Sequence, residues 1–179
     1  MSTVSRTSIK RSTRNISLES PTIMLKNSFF TFLVLSIALV ACDRNGVYEE
    51  NINTSNSIWA TNDVAKFIAP INDTLSVHNI YINIRNTTDY TNCNLFLFVA
   101  ITSPSGATQL DTIECFLADD QGKWLGKGFG YIRDNQIPFK RNIRFPLRGE
   151  YKFEVMQAMR TDSLTGIASV GIRVEKSVK

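Results

Sequence analysis

Apolar and polar residues alternate along several stretches of the chain, and this alternation predicts β-strands. His78, Ile80, Ile82 and Ile84 occupy every second position, and polar or half-polar residues stand between them. A period of two that is rich in β-branched residues is typical of a half-buried strand, so we predict one over residues 77–85. Two later strands follow the same rule, with inward faces formed by Tyr151, Phe153 and Val155 and by Ala168, Val170, Ile172 and Val174.

A continuous apolar run, residues 94–101, is followed by a Ser-Pro-Ser-Gly turn and a returning strand over residues 109–117. We predict a hairpin whose first strand is central in its sheet, because that strand is apolar on both faces. With the turn centred near Pro104, Cys93 and Cys115 are directly opposed. Opposed Cα atoms lie about 4.5 Å apart in a non-hydrogen-bonded pair, and disulfides span roughly 4.4–6.8 Å. Two interpretations stay open: a cross-strand disulfide, or two buried free thiols that pack as small apolar groups.

The number and spacing of such strands indicate the fold class. Six or seven short strands separated by turns predict an all-β fold, a single antiparallel β-sandwich with immunoglobulin-like or jelly-roll topology. No segment after Cys42 has a helical period. The glycine-rich and aromatic stretch at residues 124–132 predicts a bent or bulged strand. Its glycines do not stand between a strand and a helix, which excludes a dinucleotide-binding loop.

The first 41 residues have the features of a bacterial lipoprotein signal peptide. Lys26 precedes an apolar run at residues 29–40, which has signal-peptide length and is too short to span a bilayer. The sequence Leu-Val-Ala-Cys that ends at Cys42 resembles a lipobox, which implies that Cys42 becomes the lipid-bearing first residue of the mature chain. The alternative is an ordinary signal peptide with an incidental cysteine. Met24 is an alternative translation start that gives the leader an ordinary length.

The mature chain divides into a tether and a domain. Residues 42–57 are polar and rich in asparagine, which predicts a flexible tether before a β-sandwich domain over residues 58–179. The whole chain has 20 basic and 16 acidic residues, but the leader holds five of the former and one of the latter, so the mature part is neutral. This balance argues against a nucleic-acid partner. The membrane, through the lipid, is the expected attachment.

The mature part lacks the residue patterns of catalytic and metal sites. The one histidine, His78, lies on the apolar face of a strand, which indicates a core residue rather than a general base. No Cys/His spacing fits zinc, and no calcium loop, phosphate loop or nucleophile elbow is present. We therefore expect no enzymatic activity, no small-molecule substrate, no metal and no cofactor apart from the covalent lipid on Cys42.

Two groups of residues are candidates for binding. Trp59 and Trp124 form either plugs in the core or an aromatic platform for sugars. A cluster of basic residues is either the solvated face of a strand or a binding patch, and it comprises Lys140, Arg141, Arg144 and Arg148.

Short motifs follow one another in order along the mature chain. They include Asn-Ile-Arg-Asn at residues 83–86, Asp-Thr-Ile-Glu at 111–114, Gly-Lys-Trp-Leu-Gly-Lys-Gly at 122–128, Arg-Phe-Pro at 144–146 and Gln-Ala-Met-Arg at 157–160. With these motifs the chain resembles the GldH-type gliding motility lipoproteins of Bacteroidota. The resemblance implies a non-enzymatic, lipid-anchored component of the gliding and type IX secretion apparatus, in the outer membrane and in contact with other envelope lipoproteins. A surface glycan-binding lipoprotein is the alternative function.

Three short triplets resemble an O-glycosylation signal of Bacteroidota. Each has an aspartate, then a hydroxyl-bearing residue and then an apolar residue. The resemblance implies O-linked glycan on Thr74, Thr112 and Ser163.

Overall fold

The structure is a computed structural model that describes residues 45–177. Within these residues the regular elements are ten β-strands. They are β1 (Gly46–Asn53), β2 (Ile58–Ala60), β3 (Ala65–Ile71), β4 (His78–Thr87), β5 (Asn94–Thr102), β6 (Thr108–Phe116), β7 (Ile132–Ile143), β8 (Gly149–Gln157), β9 (Ser163–Thr165) and β10 (Ile167–Lys176). The predicted signal peptide, the start at Met24 and the lipid-bearing Cys42 lie outside the described residues. In the described part no helix has the length and apolar character needed to cross a membrane.

The long strands pair in a nested order along the sequence. The first pairs with the last, β1 with β10, followed by β3 with β8, β4 with β7 and β5 with β6, all antiparallel. They form two four-stranded sheets with the orders β1-β10-β4-β7 and β3-β8-β5-β6, and the short β2 and β9 pair separately. Nested pairing of eight strands over two sheets is the jelly-roll arrangement. The predicted all-β sandwich is confirmed, and its topology is the jelly roll.

The core lies between the two sheets and is filled by alternate residues of the central strands. Ile80, Ile82 and Ile84 of β4 are fully buried, as their alternation predicted. Phe153 and Val155 of β8 belong to the same buried cluster. Burial stabilises the fold by roughly 1.5–3 kcal/mol for each such side chain. In β10, Val170, Ile172 and Val174 are also buried, whereas Ala168 is half-buried.

The predicted hairpin is formed by β5 and β6, and β5 is central because it also pairs with β8. Thr102 pairs with Thr108, so the turn is centred one residue later than predicted, and Leu95 faces Cys115. Cys93 then lies diagonally from Cys115, and diagonal neighbours are about 7–8 Å apart, beyond the usual reach of a disulfide. Both cysteines are free, Cys115 buried and Cys93 exposed. Of the two interpretations, the disulfide is contradicted, and free thiols are found, although only that of Cys115 is buried.

The segment predicted as a tether forms the first strand. Residues of β1 pair with β10, for example Glu50 with Ile172 and Ile52 with Val170. The backbone of an edge strand is satisfied on one side by its neighbour while its side chains stay exposed, so a polar composition is compatible with pairing. The prediction of a flexible tether over residues 42–57 is wrong from residue 46 onward, and the folded domain begins before residue 58.

The glycine-rich stretch at residues 124–132 is a loop rather than a bent strand. Gly128 and Gly130 have positive φ angles of 155° and 64°, and β7 begins only at Ile132. Such angles are easily adopted by glycine and interrupt a regular strand. Residues 117–131 therefore connect β6 of one sheet to β7 of the other.

Candidate functional site

The loop between β6 and β7 carries the two aromatic side chains with the highest exposed fractions among the described residues, and an exposed leucine. Phe129 is 98% exposed, Tyr131 is 65% exposed and Leu125 is 56% exposed. We call these three residues the apolar tip. Groups of exposed apolar residues mark sites of interaction, whereas apolar residues exposed singly are ordinary, so three of them on one loop make this loop the candidate.

The loop that carries the apolar tip is fixed at several points. Asp119 accepts hydrogen bonds at Oδ1 from the backbone N–H groups of Gln121 and Lys123, at 3.0 and 2.9 Å. Lys127 and Asp134 exchange backbone hydrogen bonds of 2.9 and 2.6 Å. The half-buried Trp124 packs against the core. The tip is thus displayed on an ordered frame, which lowers the entropy lost when a partner binds.

Two glycines of the loop lie where a side chain would clash. A Cβ on Gly126 would meet Oδ1 of Asn135 at 2.7 Å, and a Cβ on Gly128 would meet the carbonyl oxygen of Ile132 at 2.3 Å. Both glycines belong to the motif at residues 122–128. The motif therefore serves to bring this loop close to β7.

Asn135 is the buried amide against which the loop packs. Its Nδ2 donates to the carbonyl oxygen of Ile84 at 3.1 Å and to Oδ1 of Asn86 at 2.9 Å. The Nδ2 of Asn86 in turn donates to the carbonyl oxygen of Thr87 at 2.9 Å. Buried amides that are paired in this way fix one local geometry, because an unpaired arrangement would be costly.

A polar groove of about 580 Å³ lies beside the loop, on the outer face of the sheet β1-β10-β4-β7. Asn51, Gly171, Asn83 and Gln136 form one row across its four strands. Because Gly171 has no side chain, the surface is recessed between Asn51 and Asn83. Asn83 donates through Nδ2 to Glu49 at 2.9 Å.

The groove is lined by two acidic residues, Glu49 and Asp134, and two basic residues, Arg85 and Lys127, and ion pairs lie in it and beside it. Arg85 and Asp134 form an ion pair with a distance of 2.6 Å between Nε and Oδ1. Arg173 contacts Glu49 at 2.5 Å and Glu175 at 3.0 Å. The groove is therefore a polar surface with little net charge rather than an ion-binding site.

The position of His78 is that of a core residue, as the sequence predicted. The side chain is fully buried, and its ring lies edge-on to Phe145 with centroids 5.3 Å apart. Burial lowers the pKa of His78 below its ordinary 6.5. A buried ring is not placed to exchange protons with a substrate. In the described residues no group of three or more His, Cys, Asp or Glu side chains is close enough to hold a metal ion.

The two tryptophans do not form a joint platform. Trp59 is buried in the core and donates through Nε1 to the carbonyl oxygen of Asp63 at 2.7 Å. Trp124 is half-buried against the same core. Of the two interpretations, the joint sugar platform is contradicted by the burial of Trp59, which acts as a core plug, while Trp124 packs against the core from the loop.

The predicted basic cluster separates into two parts. The Nζ of Lys140 pairs with Asp111 of β6 at 2.8 Å, so this lysine joins the edge strands of the two sheets. Arg141, Arg144 and Arg148 are exposed, and no ion pair with another described residue is found for them.

The three predicted glycosylation positions lie on different parts of the surface. Thr112 is exposed on β6, Ser163 is exposed on β9 and Thr74 is half-buried in the loop between β3 and β4. Their modification stays a prediction.

Comparisons with solved structures give only weak likenesses. The chain of the infectious bursal disease virus VP2 subviral particle is 16% identical with a TM-score of 0.34, and the match covers 75% of this chain and 33% of that one. Dimeric latent PorU from Porphyromonas gingivalis is 9% identical with a TM-score of 0.27, over 74% of this chain and 13% of that one. At such low TM-scores neither likeness bears on fold or function.

Comparisons of sequence are much stronger. The gliding motility lipoprotein GldH homolog of Christiangramia forsetii is 36% identical over 157 residues, which cover 84% of this chain and 96% of that protein. The gliding motility lipoprotein GldH of Flavobacterium johnsoniae is 35% identical over 159 residues, which cover 85% and 98%. The model of the GldH lipoprotein family matches residues 46–174, from the first residue of β1 into β10. The chain therefore belongs to the GldH family of gliding motility lipoproteins.

Proposed function

We propose that this gliding motility lipoprotein is a non-enzymatic component of the gliding and type IX secretion apparatus that works through protein–protein contacts at the outer membrane. Its lipid is carried by Cys42. Family membership and the lipobox that ends at Cys42 support this proposal. The lipid supplies attachment, at about 0.8 kcal/mol per buried CH2, with two or more chains needed for stable anchoring.

The apolar tip is the single observation that carries the contact role. Its three side chains are exposed on a loop whose frame is fixed by hydrogen bonds and by Trp124. Interface hot spots are enriched in aromatic residues that become desolvated on binding. We infer that the tip docks into an apolar depression on another envelope protein, and that the adjacent polar groove contributes hydrogen bonds at the rim.

A crosslinking pull-down from whole envelopes tests this role. We expect the triple variant Leu125→Ser, Phe129→Ser and Tyr131→Ser to recover gliding and secretion proteins at a level at least ten-fold below that of the wild type. Its stability should change by less than about 0.5 kcal/mol per site, since the residues are exposed.

A second triple variant is the matched control. Phe98, Leu110 and Phe116 are also exposed apolar residues, but they belong to β5 and β6 of the other sheet. Substitution of these three by serine should leave recovery unchanged. Equal loss in both variants, or no loss in the first, would contradict the assignment of the contact to the apolar tip.

A further inference from the structure

One end of the jelly roll is built around the point where the chain enters the domain. The carbonyl oxygen of Asn45 accepts a hydrogen bond from the N–H of Lys176 at 2.9 Å, and that of Val77 accepts one from Ser177 at 2.8 Å. The Nζ of Lys176 also pairs with Asp73 at 2.7 Å. The start of β1, the end of β10 and the loop at residues 72–77 therefore meet here.

The loop between β7 and β8, residues 144–148, belongs to the same end. Leu75, Ser177 and Arg144 line one shallow depression there. His78 lies against Phe145, whose ring contacts Tyr151 with centroids 4.7 Å apart. We call this end, comprising Asn45, residues 72–77, residues 144–148 and residues 176–177, the anchor end.

The length of chain before β1 holds the anchor end close to Cys42. Asn45 follows Cys42 by three positions in the sequence. A chain advances at most about 3.3–3.6 Å per residue, so the two Cα atoms are no more than about 11 Å apart in any conformation. If Cys42 carries the lipid, as proposed above, Asn45 at the anchor end lies within about 11 Å of the lipid-bearing residue.

The anchor end has the chemistry of a surface that meets a bilayer. Leu75 is 82% exposed and Leu147 is 40% exposed, although both are large apolar residues. Arg144 and Arg148 are exposed beside them. Of the acidic residues there, Asp73 is paired with Lys176.

Glu150 at the start of β8 is an exposed carboxylate of this region, and Arg141 near the end of β7 adds a further positive charge. The balance of this end is basic even though the mature chain as a whole is neutral. Basic side chains are attracted to anionic headgroups only within a Debye length of roughly 8–10 Å, which is comparable to the short connection to Cys42.

We propose that the anchor end is a membrane-contact surface, at which Arg144 and Arg148 bind the phosphate groups of anionic phospholipids while Leu75 and Leu147 enter the headgroup region. This inference rests on the proposed lipid at Cys42. It sets the orientation of the domain, because the short connection to Cys42 keeps Asn45 near the bilayer but does not fix the tilt of the domain.

The orientation places the apolar tip away from the membrane. Strand β7 has 12 residues and runs from Ile132, beside the tip, to Ile143, beside the anchor end. At about 3.3 Å per residue the strand is roughly 36 Å long. The domain therefore holds its partner-binding loop at a distance from the bilayer at which another envelope protein can reach it.

Fluorescence quenching on the lipidated mature protein tests this orientation. The protein is reconstituted into vesicles of phosphatidylglycerol and phosphatidylethanolamine. A fluorophore is placed on Leu75→Cys, or on Phe129→Cys as the control, in a Cys93→Ser background. Cys115 is buried and its pKa is raised to about 12 by burial, so it does not compete for the label.

We expect a probe at position 75 to be quenched by nitroxide-bearing lipids and several-fold less by aqueous iodide than a probe at position 129. The double variant Arg144→Glu, Arg148→Glu should restore iodide quenching at position 75. Lys123→Glu with Lys127→Glu, an equal change of charge on the loop at the other end, should not.

Flotation of the vesicles separates the two ways in which this experiment can fail. Protein that does not float lacks its anchor, and both the proposed lipid and this inference are then overturned. Protein that floats, but whose probes at positions 75 and 129 are equally accessible to iodide, overturns the orientation alone. If iodide quenching at position 75 is the same with and without the arginine substitutions, the proposed role of Arg144 and Arg148 is overturned.

Discussion

The loop that carries the apolar tip requires glycine where its backbone packs closely against β7. Gly128 combines a positive φ with a carbonyl oxygen that a Cβ would meet at 2.3 Å, and that oxygen belongs to the backbone of β7. Gly130 also has a positive φ, but no atom lies within 4 Å of the place its Cβ would occupy. The two positions therefore separate the cost of a clash from the cost of backbone conformation.

We predict that Gly128→Ala lowers the free energy of unfolding by more than about 2 kcal/mol, because the backbone of β7 must move. Gly130→Ala should cost about 1 kcal/mol, the usual penalty of a left-handed conformation. Urea denaturation of both variants checks this. Equal losses would mean that the contact with Ile132 is not tight.

The buried His78 gives the domain a sensitivity to acid. Burial lowers its pKa below 6.5, so the unfolded chain takes up a proton at a pH at which the folded protein does not. Above about pH 6.5 both states are neutral and the residue contributes no pH dependence. As the pH falls below 6.5, stability is lost until the lowered pKa of the folded state is reached.

We predict that the free energy of unfolding decreases between pH 7 and pH 5, by at most about 1.4 kcal/mol per pH unit from this group. His78→Phe should remove this part of the slope. Asp73, whose own pKa is lowered below 3.8 chiefly by its hydrogen bond with Lys176, also raises the pKa of His78 through its charge. Asp73→Asn should therefore lower the pKa of His78 further and steepen the slope between pH 6.5 and pH 5. A slope that is the same in His78→Phe and wild type would contradict the assignment.

Most of the long strands that bury one face could be predicted from the sequence, with β3 as an exception, whereas the exposed strand β1 could not. β4 and β8 alternate strictly because every second side chain enters the core. β1 is an edge strand whose side chains are almost all exposed, so its composition is that of a tether. β3 also alternates, but the sequence analysis did not identify it. β7 was not predicted as a strand because it contains Pro138 and several charged residues. It is an edge strand that pairs only with β4, and its register shifts near that proline.

The sequence showed the glycine motif of the candidate site, but it did not show that the aromatic residues of the site are exposed. The motif at residues 122–128 stood out by its glycines, yet the aromatic residues that follow it have the composition of a strand. Whether Phe129 and Tyr131 are buried or exposed depends on where the loop crosses between the sheets, and no local pattern determines that. The register of the hairpin could not be determined from the sequence either. The turn is centred one residue later than predicted, so Cys115 pairs with Leu95 instead of Cys93.

The hairpin register makes a prediction about thiols. In the folded protein, prepared without reductant, only Cys93 should react rapidly with a thiol reagent, because Cys115 is buried and burial raises its pKa to about 12. Both should react after denaturation, and Cys93→Ser should leave one. If the denatured, unreduced protein has neither thiol free, the two are bridged and the register of β5 and β6 is wrong.

At the scale of the whole molecule, nested strand pairing explains how anchor and partner surface are kept apart. Because the first strand pairs with the last, the chain enters and leaves at one end of the sandwich, near Asn45 and Ser177. The connection from β6 to β7 is at the far end of β7 and carries the apolar tip. Asn45, which follows the proposed lipid site in sequence, and the proposed contact loop at residues 117–131 thus lie at opposite ends of the described domain.

The lipid on Cys42 is the central claim, and intact mass spectrometry of the protein extracted from membranes tests it most directly. We predict a polypeptide that begins at Cys42 and carries the added mass of at least two acyl chains, and we predict that Cys42→Ala abolishes this species whereas Cys93→Ala does not. An exported chain with an unmodified thiol at Cys42, or one that begins at another residue, would contradict the account.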